Sequence, residues 1–173
     1  DLQSPEPNAF DSHDLMTMET VASQIAVAIH NVRLYSQAAQ RNRELTLLNR
    51  VISATAVAAG EGLEPALEAV CRELALAFQV PQVAAALFNK EKTEATVVAE
   101  YLAPGRLSCL GATIPAAGNA ASQYLLAHKT PLVIHDAQTD SRLASIRDLV
   151  HRQRTVSLLL LPLMADGEVV GSL

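Results

Sequence analysis

From Leu15 onward, apolar residues recur at Met18, Ala22, Ile25, Ile29 and Val32, a spacing that alternates three and four. Strand side chains alternate every second residue, so this period excludes a strand and specifies a helix with a narrow apolar seam. The phase then slips. Tyr35, Ala38, Leu45 and Ile52 follow a register displaced by three, as a stammer produces. Residues 36–44 contain neither Gly nor Pro, so nothing in them obliges the helix to stop. One helix from about residue 13 to about residue 58 would measure roughly 65–70 Å at 1.5 Å per residue. A break near Asn42 would leave two helices instead. A polar middle between two apolar seams is the pattern of a connector between domains.

Upstream of this run, Pro5, Pro7 and Asn8 make a turn-rich connection, and Ser12 or Asp14 can cap the helix. Downstream, Gly60 and Gly62 stop it. Leu63 to Phe78 reads as a second helix with Leu63, Ala66, Leu67, Val70, Leu74 and Ala77 on one face. Val83–Asn89 and Ala95–Tyr101 read as strands around a polar turn, and Gly111–Pro115 as a short third. Asn119–His128 is a short helix, Pro131–Asp136 a strand leading into a loop, and Ala144–Arg154 helical. Val156–Met164 and Glu168–Leu173 form a hairpin around Asp166-Gly167. The expected class is α+β: a central antiparallel sheet of about five to six strands flanked by helices, plus a long N-terminal helix.

Half of the 173 residues are apolar but only 3% are aromatic, so the core must be built from Ala, Leu and Val. The 18% of charged residues and a mean hydropathy of +0.19 exclude a disordered chain. A net charge of −5 leaves no basic footprint, so neither nucleic acid nor an anionic membrane is expected as a partner. Arg147, His151, Arg152 and Arg154 stand beside Asp148 and read as a solvated helix face. Cys71 and Cys109 are too few for a disulfide framework and lack zinc-site spacing, which fits a cytoplasmic setting. The apolar run Val156–Leu163 is too short for a membrane span and is broken by Pro162.

Three blocks carry a family resemblance. Leu160-Leu-Pro-Leu-Met-Ala-Asp-Gly-Glu-Val-Val-Gly-Ser-Leu173 resembles the last hairpin of GAF domains. Pro131-Leu-Val-Ile-His-Asp-Ala-Gln-Thr-Asp-Ser-Arg142 resembles the strand and loop before that family's variable helix. Phe10 to Tyr35, notably Ala22-Ser-Gln-Ile-Ala-Val-Ala-Ile-His-Asn31, is similar to the helix that closes a GAF domain. The blocks stand in permuted order. Residues 1–35 resemble the closing strand, turn and helix of an upstream GAF domain, 36–58 a signalling linker helix, and 59–173 a GAF domain lacking its closing helix. The resemblance implies a non-catalytic sensory or regulatory module that binds a small molecule, dimerises, or both. Its output, such as the histidine kinase of a two-component system, would lie outside the chain. A purely structural dimerisation module without ligand is the alternative.

The residues narrow the chemistry by exclusion. His30 is followed by Asn31 rather than an acidic residue, so it reads as a polar group at the seam edge and not as a phospho-acceptor. Cys109 precedes Leu110 instead of His, and Cys71 lies on a packing face, so both read as inert thiols and not bilin anchors. No second His at useful spacing supports haem ligation by His135 or His151. Phe10-x3-Asp14 is followed by Leu15, and Asn89-Lys90 lies on another hairpin, so the family's cyclic-nucleotide pattern is not met. The resemblance then implies a generic pocket between sheet and helices, with His135, Asp136, Asp140, Arg142 and Arg147 as its candidate polar contacts. Alternatively, Asp136 and Asp140 cap turns and Arg142 pairs locally. No cofactor, metal-ligand set or catalytic constellation is identified.

Read in series, Val169–Leu173 followed by Asp1–Ser4 gives one uninterrupted strand and its exit turn. A homodimer is therefore expected in which residues 1–30 of one copy complete the domain of the other. Closed exchange gives a two-fold pair with antiparallel long helices; open exchange gives a filament. The expected helix seam is Leu15, Met18, Ala22, Ile25, Ile29, Val32, Leu45 and Ile52.

Overall fold

The computed structural model describes every residue except Asp1 and Ala59, and of Val57 the backbone alone. The first residue of the expected closing strand and the expected start of the second domain therefore lie outside the described residues. The chain divides into two units, residues 1–46 and 47–173.

The first unit is a short irregular lead and most of one helix, α1, which runs unbroken from Ser12 to Ala58 with no interruption at Asn42. Its cap lies one residue before the nearer of the two expected. Asp11 Oδ1 accepts from the backbone N–H groups of His13 (2.8 Å) and Asp14 (2.9 Å). Asp14 Oδ2 in turn accepts from the Asp11 N–H at 3.1 Å. This reciprocal box satisfies donors that a helix start otherwise leaves orphaned. Leu2, Gln3 and Ser4 belong to no strand within one copy.

At 3.6 residues per turn, Leu15, Met18, Ala22, Ile25, Ile29 and Val32 share one side of α1. Leu47, Val51, Ala54 and Ala58 continue that line and are half-buried within the second unit. Leu45 and Ile52 fall on the opposite side, where Leu48 and Ile52 are 54% and 55% exposed. Over its length the helix consequently has no single apolar side, because two stripes point in nearly opposite directions.

In the second unit, α2 (Leu63–Phe78) starts after Gly62 and ends on Gln79, which takes a left-handed conformation with φ 53°. Four antiparallel pairings then build a sheet from β1 (Gln82–Phe88), β2 (Glu94–Leu102), β3 (Thr113–Pro115), β6 (Pro162–Ala165) and β7 (Glu168–Ser172). Its strand order is β3-β2-β1-β7-β6. Small side chains line the contact: Cys71 of α2 packs on Ala85 and Ala99, with Leu67, Val83, Tyr101 and Leu173 around them. Small residues on both partners let helix and sheet approach closely, which explains how so aromatic-poor a chain excludes water. The buried face of α2 is Ala66, Cys71 and Ala75, rotated from the expected one, and Leu63 is 56% exposed.

A β-bulge breaks the alternation: Ala85 pairs with Ala99 but Ala86 with Val97, so Ala86, Ala95 and Val97 lie on the other face, where Ala84, Phe88, Cys109, Ala112 and Ile114 join them. A third cluster gathers α3 (Ala120–His128), β4 (Leu132–Ile134), β5 (Leu158–Leu160) and α4 (Arg147–Arg152) around Leu125, Ile134, Leu143 and Val150. Here the expected hairpin needs correction. Val156–Met164 is not one strand: β5 pairs with β4 in a separate ribbon, and only β6 pairs with β7. Pro162 has no N–H to donate and so stands at the start of an edge strand. Between the two, Leu161 exchanges both backbone bonds with Leu173, at 2.8 and 2.9 Å. The β6–β7 turn is the expected Asp166-Gly167, with φ of 50° and 78°.

Candidate functional site

The segment from the end of β4 to the start of α4 holds all five expected polar residues, and the buried residues that anchor it decide their exposure. Ile134 and Ala137 point into the third cluster and are fully buried, whereas His135 and Asp136 between them are exposed. The Ala137 N–H donates to the Val156 carbonyl at 2.7 Å, which pins the loop beside β5. Asp136 then organises a turn. Its Oδ1 accepts from the Gln138 N–H at 3.0 Å and its Oδ2 from the Thr139 hydroxyl at 2.7 Å. Those bonds, the hydroxyl's foremost, hold its carboxyl below the ordinary value.

Asp140 begins a 3₁₀ helix, Ser141–Ile146, by accepting from the Arg142 N–H at 2.8 Å. The Arg142 side chain folds back on the same carboxylate, with Nη2 at 2.6 Å from Oδ2 and Nε at 3.0 Å from Oδ1. This guanidinium, then the backbone bond, pulls the Asp140 pKa from 3.8 to about 2. The same hydrogen bond raises that of Arg142. Arg147, the first residue of α4, reaches across the loop. Its Nη2 donates to the Asp140 carbonyl at 2.8 Å and its Nη1 to the carbonyls of Gln138 and Ala137. Asp136, Asp140, Arg142 and Arg147 thus form one hydrogen-bonded unit, with His135 exposed at its head. The chemistry of this unit is that of a latch, because its donors and acceptors already engage one another.

A second polar network was not anticipated from the sequence. Glu100 of β2 accepts from Ser108 Oγ, from the Cys109 N–H at 2.9 Å and from Cys109 Sγ at 3.2 Å. Gln82 of β1 donates through Nε2 to Cys109 Sγ at 3.6 Å and accepts from Arg106 Nη2 at 3.1 Å. The network straps the 103–112 connection onto the sheet face opposite α2. Burial first, then the neighbouring carboxylate, push the Cys109 thiol up to about 12. Cys71, fully buried, is raised to about 11, chiefly by desolvation. Both are thiols, not thiolates, at neutral pH, which agrees with their reading as inert groups. The available signal was a carboxylate among the Ala and Val of β2. Among the described residues, no group of three His, Cys, Asp or Glu side chains could hold a metal ion. No helix among them is long and apolar enough to cross a membrane.

Comparison with known proteins places this architecture. The model of the family described as GAF domain matches residues 62–173. The chain is similar to the GAF domain of a phosphoenolpyruvate-protein phosphotransferase from Coxiella burnetii, with 18% identity, a TM-score of 0.61, and coverage of 74% of this chain and 73% of that one. It is also similar to a phycoerythrobilin-bound GAF domain from a cyanobacterial phytochrome, at 18% identity and a TM-score of 0.59, covering 76% and 80%. Residues 122 to 287 of a methyl-accepting chemotaxis protein give 18%, 0.54, and coverage of 76% and 79%. At such identities these structures establish the fold alone. A comparison with proteins of curated function gives no match. With the family model covering well over half of its residues, and the sheet and flanking helices in place, the chain belongs to the GAF domain family.

Proposed function

We propose that this chain is a non-catalytic sensory or regulatory module that works as a homodimer and passes a signal along α1 to an output domain outside these residues. In this reading residues 1–35 are the closing segment of one GAF domain, 36–58 the linker, and 59–173 a second domain. The observation that carries it is the unbroken α1 leading into a GAF domain, with apolar stripes on two sides. A helix of that kind can contact a domain and another helix at once, as a relay requires. One structural neighbour is a bilin-bound domain. The protonated thiols of Cys71 and Cys109 are poor nucleophiles, so the ligand proposed here binds reversibly. Native mass spectrometry of protein freshly purified from two expression hosts tests the sensory part: a small molecule retained at one per chain is expected.

One observation favours a second reading, dimerisation without ligand: Asp136, Asp140, Arg142 and Arg147 are already engaged with one another or with the backbone. Absence of any retained molecule in both hosts selects it. In either reading we propose that residues 1–30 are exchanged, their Leu15–Ile29 stripe docking on the partner's GAF domain. Leu76 on the outer side of α2 and Phe78 at its C-terminal end, 52% and 64% exposed, offer apolar contacts for it. Light scattering at micromolar concentration should give a dimer, and deletion of residues 1–30 should leave monomers.

A further inference from the structure

The side of α1 opposite Leu15 and Val32 carries a stripe whose spacing is symmetric. Met16, Thr20, Ser23, Val27, His30 and Leu34 step by four, three, four, three and four; Leu34, Ala38, Arg41, Leu45, Leu48 and Ile52 repeat those steps. The pattern of steps reads identically from either end, with Leu34 at its centre. From Met16 to Ile52 it covers about ten turns at 3.6 residues per turn, so on an unbroken helix it runs straight without drifting around the axis. Residue size is complementary about that centre: the N-terminal half places Thr20 and Ser23 where the C-terminal half places Leu48 and Leu45. The Thr20 hydroxyl is already bonded to the Met16 carbonyl of its own helix at 3.0 Å, which leaves its methyl for packing. The C-terminal members Leu48 and Ile52 face away from the domain that half-buries Leu47, Val51 and Ala54.

We infer that this stripe pairs α1 with α1 of a second copy in antiparallel orientation, with the two-fold axis at Leu34; the inference rests on the homodimer reading above. The layers are then Met16 with the partner's Ile52, Thr20 with the partner's Leu48, and Ser23 with the partner's Leu45. Val27 meets the partner's Arg41, His30 the partner's Ala38, and Leu34 the partner's Leu34. Three of the six layers, Thr20 with Leu48, Ser23 with Leu45 and Ala38 with His30, set a small residue against a large one, whereas a parallel pair would set serine on serine and leucine on leucine. A parallel pair would also set Arg41 against the partner's Arg41, a like-charge contact inside the seam. The antiparallel pair lays the Arg41 stem against a valine and leaves its guanidinium on Glu44 of its own helix, 3.2 Å away. The Leu15–Ile29 stripe stays free for the exchanged domain contact, so the two sides of α1 have separate occupants.

Short bis-maleimide crosslinking of cysteine variants tests the orientation, alongside sedimentation equilibrium for the oligomeric state. Wild type sets the baseline, since Cys71 is fully buried and Cys109 partly so. Crosslinked dimer is expected from Leu34→Cys and from the double variant Ser23→Cys/Leu45→Cys, but not from Ser23→Cys or Leu45→Cys alone. Within one chain positions 23 and 45 are roughly 33 Å apart, so the double variant links only between copies. A sedimenting dimer in which Ser23→Cys links to itself, or in which the double variant does not link, overturns the antiparallel pairing and leaves the dimer reading standing. A monomer sinks both.

Discussion

Asn119 shows how much one buried polar side chain can do. It is 1% exposed, and its Oδ1 accepts from the N–H groups of Ala121 (3.1 Å) and Ser122 (3.2 Å) at the start of α3. Asn119→Ala should cost about 1–2 kcal/mol in urea denaturation, because one buried and one half-buried donor lose their acceptor. The acidic residues predict a pH dependence. Asp140 titrates at about 2 in the fold, and Asp11, Asp136 and Glu168 are also lowered. A depressed carboxylate adds stability that is complete above its unfolded pKa and is lost as pH falls through the folded one. The melting temperature should therefore decline from about pH 4 towards pH 2, and Asp140→Asn should flatten the lower end of that decline. Residues such as Asn119 and Asp140 could be read as caps from type and position alone. The Glu100–Cys109 network could not, because its members are separated by strand pairing that no local pattern records.

At the scale of elements, β7 lies close against its sheet neighbour β1 at Gly171. A Cβ added at Gly171 would clash with the Ala86 carbonyl oxygen and lie 2.9 Å from Leu87 Cδ2. Gly171→Ala should thus destabilise the domain by about 2 kcal/mol or more in equilibrium unfolding, through backbone displacement rather than any lost side chain. The bounds of α2 match the sequence reading because Gly60, Gly62 and Pro81 flank it. The burial of Ala66, Leu67 and Cys71 followed from the sequence, but that of Ala75 in place of Leu63 and Ala77 did not, since alanine is less hydrophobic than the leucine it outcompetes. The alanines of β1 and β2 reward small partners, and that preference belongs to the sheet. Likewise Val156–Met164 looks like one strand until Leu161 is found bonded to Leu173. In α1 the apparent phase slip separates two stripes that belong to one unbroken helix.

For the whole molecule, the α+β class, the antiparallel sheet and the GAF membership were legible because the order of apolar blocks and turns is a property of the chain. The assembly is the part that local pattern reaches only by proposal. Within the domain, the apolar interior is divided into three clusters instead of one. Two share the main sheet, whereas the third, built on α3 and the β4–β5 ribbon, is tied to that sheet partly by exposed polar links. Lys129 at the end of α3 donates to the Gly167 carbonyl at 2.7 Å and lies 3.6 Å from Glu168, which also binds Lys92 at 2.6 Å. Lys129→Met should leave amide-exchange protection in β1 and β2 unchanged and lower it in α3 and β4. A domain so divided can open on one side while its sheet stays folded, giving it two tiers of local stability within one fold.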